Sequence, residues 1–182
     1  MSATAWTSLV DQASSPYRLA GRFAWHFARG KLGLDPVFQH LLSQGLIAPR
    51  ARVLDIGCGQ GLLAGLLQAA DRLAHSGGWP QSWGAAPAGA TVTGIDLMPK
   101  DIERARAALG ASARFVCGDM RHTDFPPSDT TVILDVLHYV TPAEQDAVLV
   151  RVRAALTPGF QHIGKIRSSE ARIKVIQQFL FF

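Results

Sequence analysis

Four aspartates stand at the ends of short apolar runs, and a glycine-rich turn accompanies the first. Asp55 closes Val53-Leu54-Asp55-Ile56 and is followed by Gly57-Cys58-Gly59-Gln60-Gly61. Asp96 closes Gly94-Ile95-Asp96, Asp119 follows Val116-Cys117-Gly118, and Asp135 follows the run 131–134. Glycines at alternate positions let a backbone turn tightly and approach a ligand without Cβ clashes. One carboxylate can accept both hydroxyls of a vicinal diol, and such charge-assisted bonds are about twice as strong as neutral ones. A ring of carboxylates favours a cationic ligand and repels a phosphate-rich one. Taken singly, each aspartate could merely cap a helix or turn, which is the reading for Asp124 and Asp129. Four together at strand ends point to a site. The dinucleotide fingerprint G-x-G-x-x-G is absent, because Gly59 is followed by Gly61 and Leu62, and this disfavours a Rossmann-type oxidoreductase.

His138 and Tyr139 come just after the fourth run. An imidazole with an ordinary pKa near 6.5 can act as general base toward an accepting hydroxyl, or serve as a hydrogen-bonded wall of a pocket. Tyr139 can shape the same place. The remaining histidines (His26, His40, His75, His122, His162) show no metal-ligand spacing, so no metal is expected. Cys58 fills a tight space in the glycine turn; with Cys117 it makes neither a disulfide framework nor a complete cysteine zinc site.

The elements that must position these residues alternate. Strands are expected at 52–56, 91–95, 114–116 and 131–135, and helices at 61–75, 100–109 and 142–156. Strands separated by helices imply parallel βαβ units with right-handed crossovers, whose ligands sit outside the carboxyl ends of the strands. Ahead of them, a helical segment covers 15–30. It is followed by a helix from Pro36 to about Gln44 with Asp35 as its N-cap. Arg18, Arg22, Arg29 and Lys31, interleaved with Phe23, Trp25 and Phe27, resemble a phosphate-binding surface. The favoured reading is an amphipathic helix with Tyr17, Ala20, Ala24, Phe27 and Ala28 toward the core. The uncharged stretch 75–90 reads as a surface loop, or alternatively as a partner-docking patch built on Trp79 and Trp83.

The stretch Leu54-Asp55-Ile56-Gly57-Cys58-Gly59-Gln60-Gly61 resembles the first motif of the class I S-adenosylmethionine-dependent methyltransferases. The resemblance continues in order over about 50–159. Gly94-Ile95-Asp96-Leu97 looks like the ribose-binding motif, and Val116-Cys117-Gly118-Asp119-Met120 like the adenine-binding segment. Ile133-Leu134-Asp135-Val136-Leu137-His138-Tyr139 looks like the fourth-strand motif at the methyl-transfer site. The resemblance implies S-adenosyl-L-methionine as cofactor, bound by Asp55, Gly57, Cys58, Gly59, Gly61, Asp96, Leu97, Asp119, Met120 and Asp135. His138 and Tyr139 become the candidate catalytic residues. It also implies an α/β, Rossmann-like parallel sheet of about five strands flanked by helices, short of the full seven.

The chain has 182 residues, 48% hydrophobic and 18% charged, enough for a packed core and too apolar for a disordered tail. No apolar run spans a bilayer and no secretory signal is visible, so a cytoplasmic protein is expected. The net charge of +4 resolves into +3 for 160–182 and +1 for the first 159 residues. A nearly neutral body favours a small-molecule acceptor over nucleic acid. Of 26 alanines, 25 precede residue 160, whereas the last 23 residues hold four of nine isoleucines. We therefore expect three segments: a helical part at 1–48, a cofactor-binding core at 49–159, and an atypical tail at 160–182 holding one weak strand and a helix over 169–179. On this expectation the tail is not the native ending of the fold and an antiparallel hairpin is missing. The alternative function is then a truncated, inactive fragment that still binds the cofactor.

Overall fold

A computed structural model describes residues 2–166 and 174–178. Helices α1 (Ser2–Ser14), α2 (Arg22–Leu34) and α3 (Pro36–Ser43) precede the sheet, with a 3-10 turn at Ser15–Ala20 between the first two. Then come β1 (Arg52–Ile56), α4 (Leu62–His75), β2 (Thr91–Asp96), α5 (Pro99–Leu109), β3 (Arg114–Cys117), β4 (Ser128–Leu134), α6 (Pro142–Ala155), β5 (Leu156–Ile166) and β6 (Lys174–Gln178). The sheet order is β3-β2-β1-β4-β5-β6. The first five strands run parallel, and β6 pairs antiparallel with β5. The expected α/β architecture is present.

Two expectations change. The segment 15–30 is not one helix: Gly21, at φ 101, ends the 3-10 turn and starts α2 in a new direction. As a consequence Tyr17, Ala24 and Ala28 are buried, but Phe27 is 47% exposed. Residues 174–178 form a strand and not a helix, because an antiparallel partner edge on β5 satisfies their backbone groups; the rest of 169–179 lies outside the described residues. One antiparallel strand, β6, lies beside β5, and among the described residues the sheet has six strands, short of the full seven as expected.

Alternation along β1 decides what each face of the sheet carries. Val53 joins a core under α1 to α5, whereas Leu54 and Ile56 join a second core under α6 with Ile95, Ile133, Val148 and Val152. Asp55 shares the face of Val53 and is carried beneath the N-terminal helices, only 3% exposed. Those helices are tied to the glycine turn by two buried bonds. The Tyr17 hydroxyl donates to the Gly61 carbonyl (2.8 Å) and Gln60 Nε2 to the Ala24 carbonyl (2.8 Å). Burial pushes the Tyr17 pKa up, so the phenol stays a donor. Asp35 caps α3 by accepting from the Val37 N–H (3.1 Å), as its sequence position predicts. Trp79 and Trp83 pack edge to face (5.2 Å) against the main core, and Trp79 Nε1 donates to the Gly84 carbonyl (2.9 Å). The tryptophans hold their own loop down.

Candidate active site

The turn after β1 is shaped by contacts on both sides. The Gly57 and Cys58 N–H groups both donate to the Ile95 carbonyl (2.8 and 3.1 Å), pinning the turn to β2. Gly57 has φ 76, and a Cβ there would lie 2.2 Å from Val136 Cγ1; glycine is needed for that packing. Gly59 also has a positive φ (53), yet a Cβ there would meet nothing within 4 Å. Its open face is where a ligand can touch bare backbone. Gly61 turns away from the opening: a Cβ there would lie 2.7 Å from the Phe115 ring, and its carbonyl holds Tyr17. Cys58 is buried over Gly94, whose added Cβ would lie 2.7 Å from the thiol sulfur.

Beside the turn, at the carboxyl ends of the strands, lies a cavity of about 530 Å³. Gly57, Asp96, Leu97, Asp119, Met120 and Tyr139 line it, so it gathers six of the residues singled out in the sequence. Asp96 orders its neighbourhood: Oδ2 accepts from the Gly59 N–H and Oδ1 from the Met98 N–H, both at 2.8 Å. Asp119 is gripped by Arg121, whose Nε contacts both carboxylate oxygens at 3.0 Å while the Arg121 N–H donates to Oδ1 (2.9 Å). These bonds to Arg121 hold the Asp119 pKa down at about 2. Arg121 also lines the cavity, and its Nη1 reaches Glu144 Oε1 (2.8 Å) in the capping box of α6. The sequence reasoning missed Arg121. Its place two residues after Asp119 was a usable signal.

A second, smaller cavity of about 120 Å³ shares Gly57 with the first and is lined by Asp55, Cys58, Gly59, Gln60 and Lys31, among others. Burial, and secondarily the charge of Asp96, pushes the Asp55 pKa up to about 7. Lys31 was also missed. From α2 its ammonium bridges Asp35 (2.8 Å) and Asp135 (3.2 Å), residues far apart in the chain. Asp135 follows β4 in a left-handed conformation (φ 55) and lines neither cavity. Such a conformation is costly for a residue with a Cβ and clusters at functional sites. His138 is exposed at the rim, its ring 4.1 Å from that of Tyr139, and lines neither cavity.

Two basic side chains of the N-terminal segment have partners within it. Arg18 lies over Trp25 (4.5 Å) and Arg29 pairs with Asp11 (3.0 Å). No cluster of metal-ligand type occurs among the described residues, and no helix there is long and apolar enough to cross a membrane.

Known proteins resemble this chain in sequence and fold. The methyltransferase domain family matches residues 53–159, a span holding all four aspartates. Carboxy-S-adenosyl-L-methionine synthase of Chromohalobacter salexigens is 36% identical over 125 residues, covering 63% of this chain and 41% of that enzyme. The chain thus spans less than half the length of that relative. An S-adenosylmethionine-dependent methyltransferase from Mesorhizobium loti has a TM-score of 0.52 at 24% identity, over 81% of this chain and 55% of its own. A TehB-like S-adenosylmethionine-dependent methyltransferase from Corynebacterium glutamicum has a TM-score of 0.55 at 18% identity, over 81% and 72%. These two share the fold. The family match over the glycine turn and the strand ends makes this chain a member of the methyltransferase domain family.

Proposed function

We propose that the chain binds S-adenosyl-L-methionine across the carboxyl ends of β1 to β4 and transfers its methyl group to a small-molecule acceptor. The observation that carries this reading is the cavity of about 530 Å³ bounded by the glycine turn, Asp96 and Asp119. Its volume is in the range of small-ligand sites. Two features support the fit: the open face of Gly59, and the Asp55 carboxyl, which is buried and lines the smaller cavity.

Asp96 receives the ribose hydroxyls with lone pairs not used by Gly59 and Met98. Leu97, Met98 and Met120 flank the purine, and Asp119 accepts from its amine while Arg121 holds the carboxylate in place. Asp55 faces the amino group of the tail. When bound, the cofactor supplies a methyl carbon on a positively charged sulfur. The protein aligns the acceptor with that carbon and keeps water out, which is catalysis by orientation. Asp135 and Tyr139 border the place where the acceptor enters, and His138 at the rim can take a proton from a hydroxyl acceptor. The nearly neutral body favours a small acceptor. The two free cysteines, Cys58 and Cys117, agree with a reducing, cytoplasmic location.

Calorimetry with S-adenosylhomocysteine and with NADH tests the cofactor. Binding of the first and not the second is expected; the reverse refutes the reading. Turnover on a panel of hydroxyl and amine acceptors tests the chemistry. A second reading, binding without turnover, is favoured by the exposed position of His138 off both cavities. Robust transfer to any acceptor excludes it.

A further inference from the structure

We propose that Lys31 recognises the α-carboxylate of the cofactor's amino-acid tail and so determines which adenosyl ligands the chain accepts. The assignment rests on the cofactor reading above and goes beyond it to one side chain outside the matched family region.

The cavity of about 120 Å³ is too small for a nucleoside and suits an amino-acid tail. It opens at Gly57, which also lines the larger cavity, so one ligand can occupy both. Its polar groups are few. The Asp55 carboxyl is buried and lines this cavity. Gln60 is 2% exposed; its Nε2 is used by the Ala24 carbonyl, and its Oε1 is buried without a partner. The Asp55 carboxylate in this cavity suits an ammonium group, which carries three N–H donors and no acceptor.

Lys31 provides the opposite charge. Its ammonium spends one N–H on Asp35 and one on Asp135, leaving a third. Burial works to lower its pKa, but the hydrogen bonds and charges of Asp35 and Asp135 outweigh it and the net shift is upward, so the group stays cationic. Asp55, in the same cavity as Lys31, disfavours a bare carboxylate. A zwitterion is different: its ammonium meets Asp55 while its carboxylate meets Lys31. The side chain that staples α2 to the end of β4 thus also reads the ligand. A staple alone would affect every adenosyl ligand equally.

The test compares two probes by calorimetry at pH 8. One is S-adenosylhomocysteine. The other is 5′-deoxy-5′-(3-aminopropylthio)adenosine, which keeps the adenosine, sulfur and amine but has no carboxylate. Wild-type protein should bind the first about tenfold tighter or more. Lys31→Met should bring the two within about twofold by weakening the first alone, and Lys31→Arg should restore most of the preference. A preference that survives in Lys31→Met refutes the proposal. So does a wild-type ratio near one, which needs no variant to fold. Failure of the wild-type chain to bind either probe refutes the cofactor reading itself and the tail assignment with it.

Discussion

Replacing Asp55 by asparagine should stabilise the ligand-free protein at pH 8 relative to its stability at pH 5. Asp55 is 3% exposed, and its pKa is raised from the ordinary 3.8 to about 7 by burial and then by Asp96. The folded chain therefore holds this proton across a pH range in which the unfolded chain has released it. Stability from this group is full below pH 4, falls as pH rises toward 7, and is flat above. At 1.36 kcal/mol per pH unit the whole window is worth about 4 kcal/mol, of which about 3 kcal/mol lies between pH 5 and pH 7. Asparagine keeps the shape and cannot ionise. Its own packing cost is the same at both pH values, so the comparison cancels it. Urea denaturation of both proteins at pH 5 and pH 8 should show the variant gaining about 3 kcal/mol on wild type between them. Asp119 and Glu144, whose pKa values are lowered to about 2, lose stability only below pH 4 and do not enter this window. An unchanged difference between the two proteins at both pH values would refute the reasoning. Calorimetry on the same samples should show weaker S-adenosylhomocysteine binding by the variant at pH 8, since the ammonium loses its anion.

Asp96→Ala should cost about 2–4 kcal/mol of cofactor affinity while leaving the fold intact by circular dichroism, and an unchanged dissociation constant would remove Asp96 from the site. The two glycines of the turn should separate. Gly59→Val should abolish S-adenosylhomocysteine binding in a chain that still folds, whereas Gly57→Ala should lower stability by about 1–3 kcal/mol through its clash with Val136. Thermal melts with and without ligand distinguish them. Tyr17→Phe should cost about 1 kcal/mol in denaturant titrations, because the Gly61 carbonyl loses its buried donor.

What the sequence made legible was local. The strand at 52–56, the N-cap at Asp35 and the glycine turn each depend on residues within a few positions, and their types are restrictive. Six of the chosen residues line one cavity for the same reason: strand ends in a parallel sheet converge. Lys31 escaped because its partner Asp135 lies 104 residues away and no periodicity encodes the contact. Phe27 was misplaced because Gly21 resets the helical phase, so counting from Tyr17 gives the wrong face. The strand at 174–178 escaped because a short apolar run fits either period, and only the neighbouring edge of β5 decides. At Gly61 an added Cβ would meet the Phe115 ring, a packing constraint from 54 residues away that local sequence does not encode.

The order of strands has a consequence for how the protein is made. Synthesis lays down β1, then β2 and β3 outward on one side, and only afterwards returns to place β4 on the other flank of β1. A nascent chain that ends before residue 128 already carries Asp55, Asp96 and Asp119, but lacks Val136, Tyr139 and Val140, which wall the larger cavity. Until then Val53 to Ile56 present an unpaired edge in the interval before Thr130 to Ile133 arrive, and an unpaired edge is open to pairing with another chain. Lys31 leaves the ribosome 104 residues ahead of its partner Asp135 and has to wait for it. The larger cavity is thus completed only after β4 has been made, and until then the β1 edge stays open to pairing with another chain.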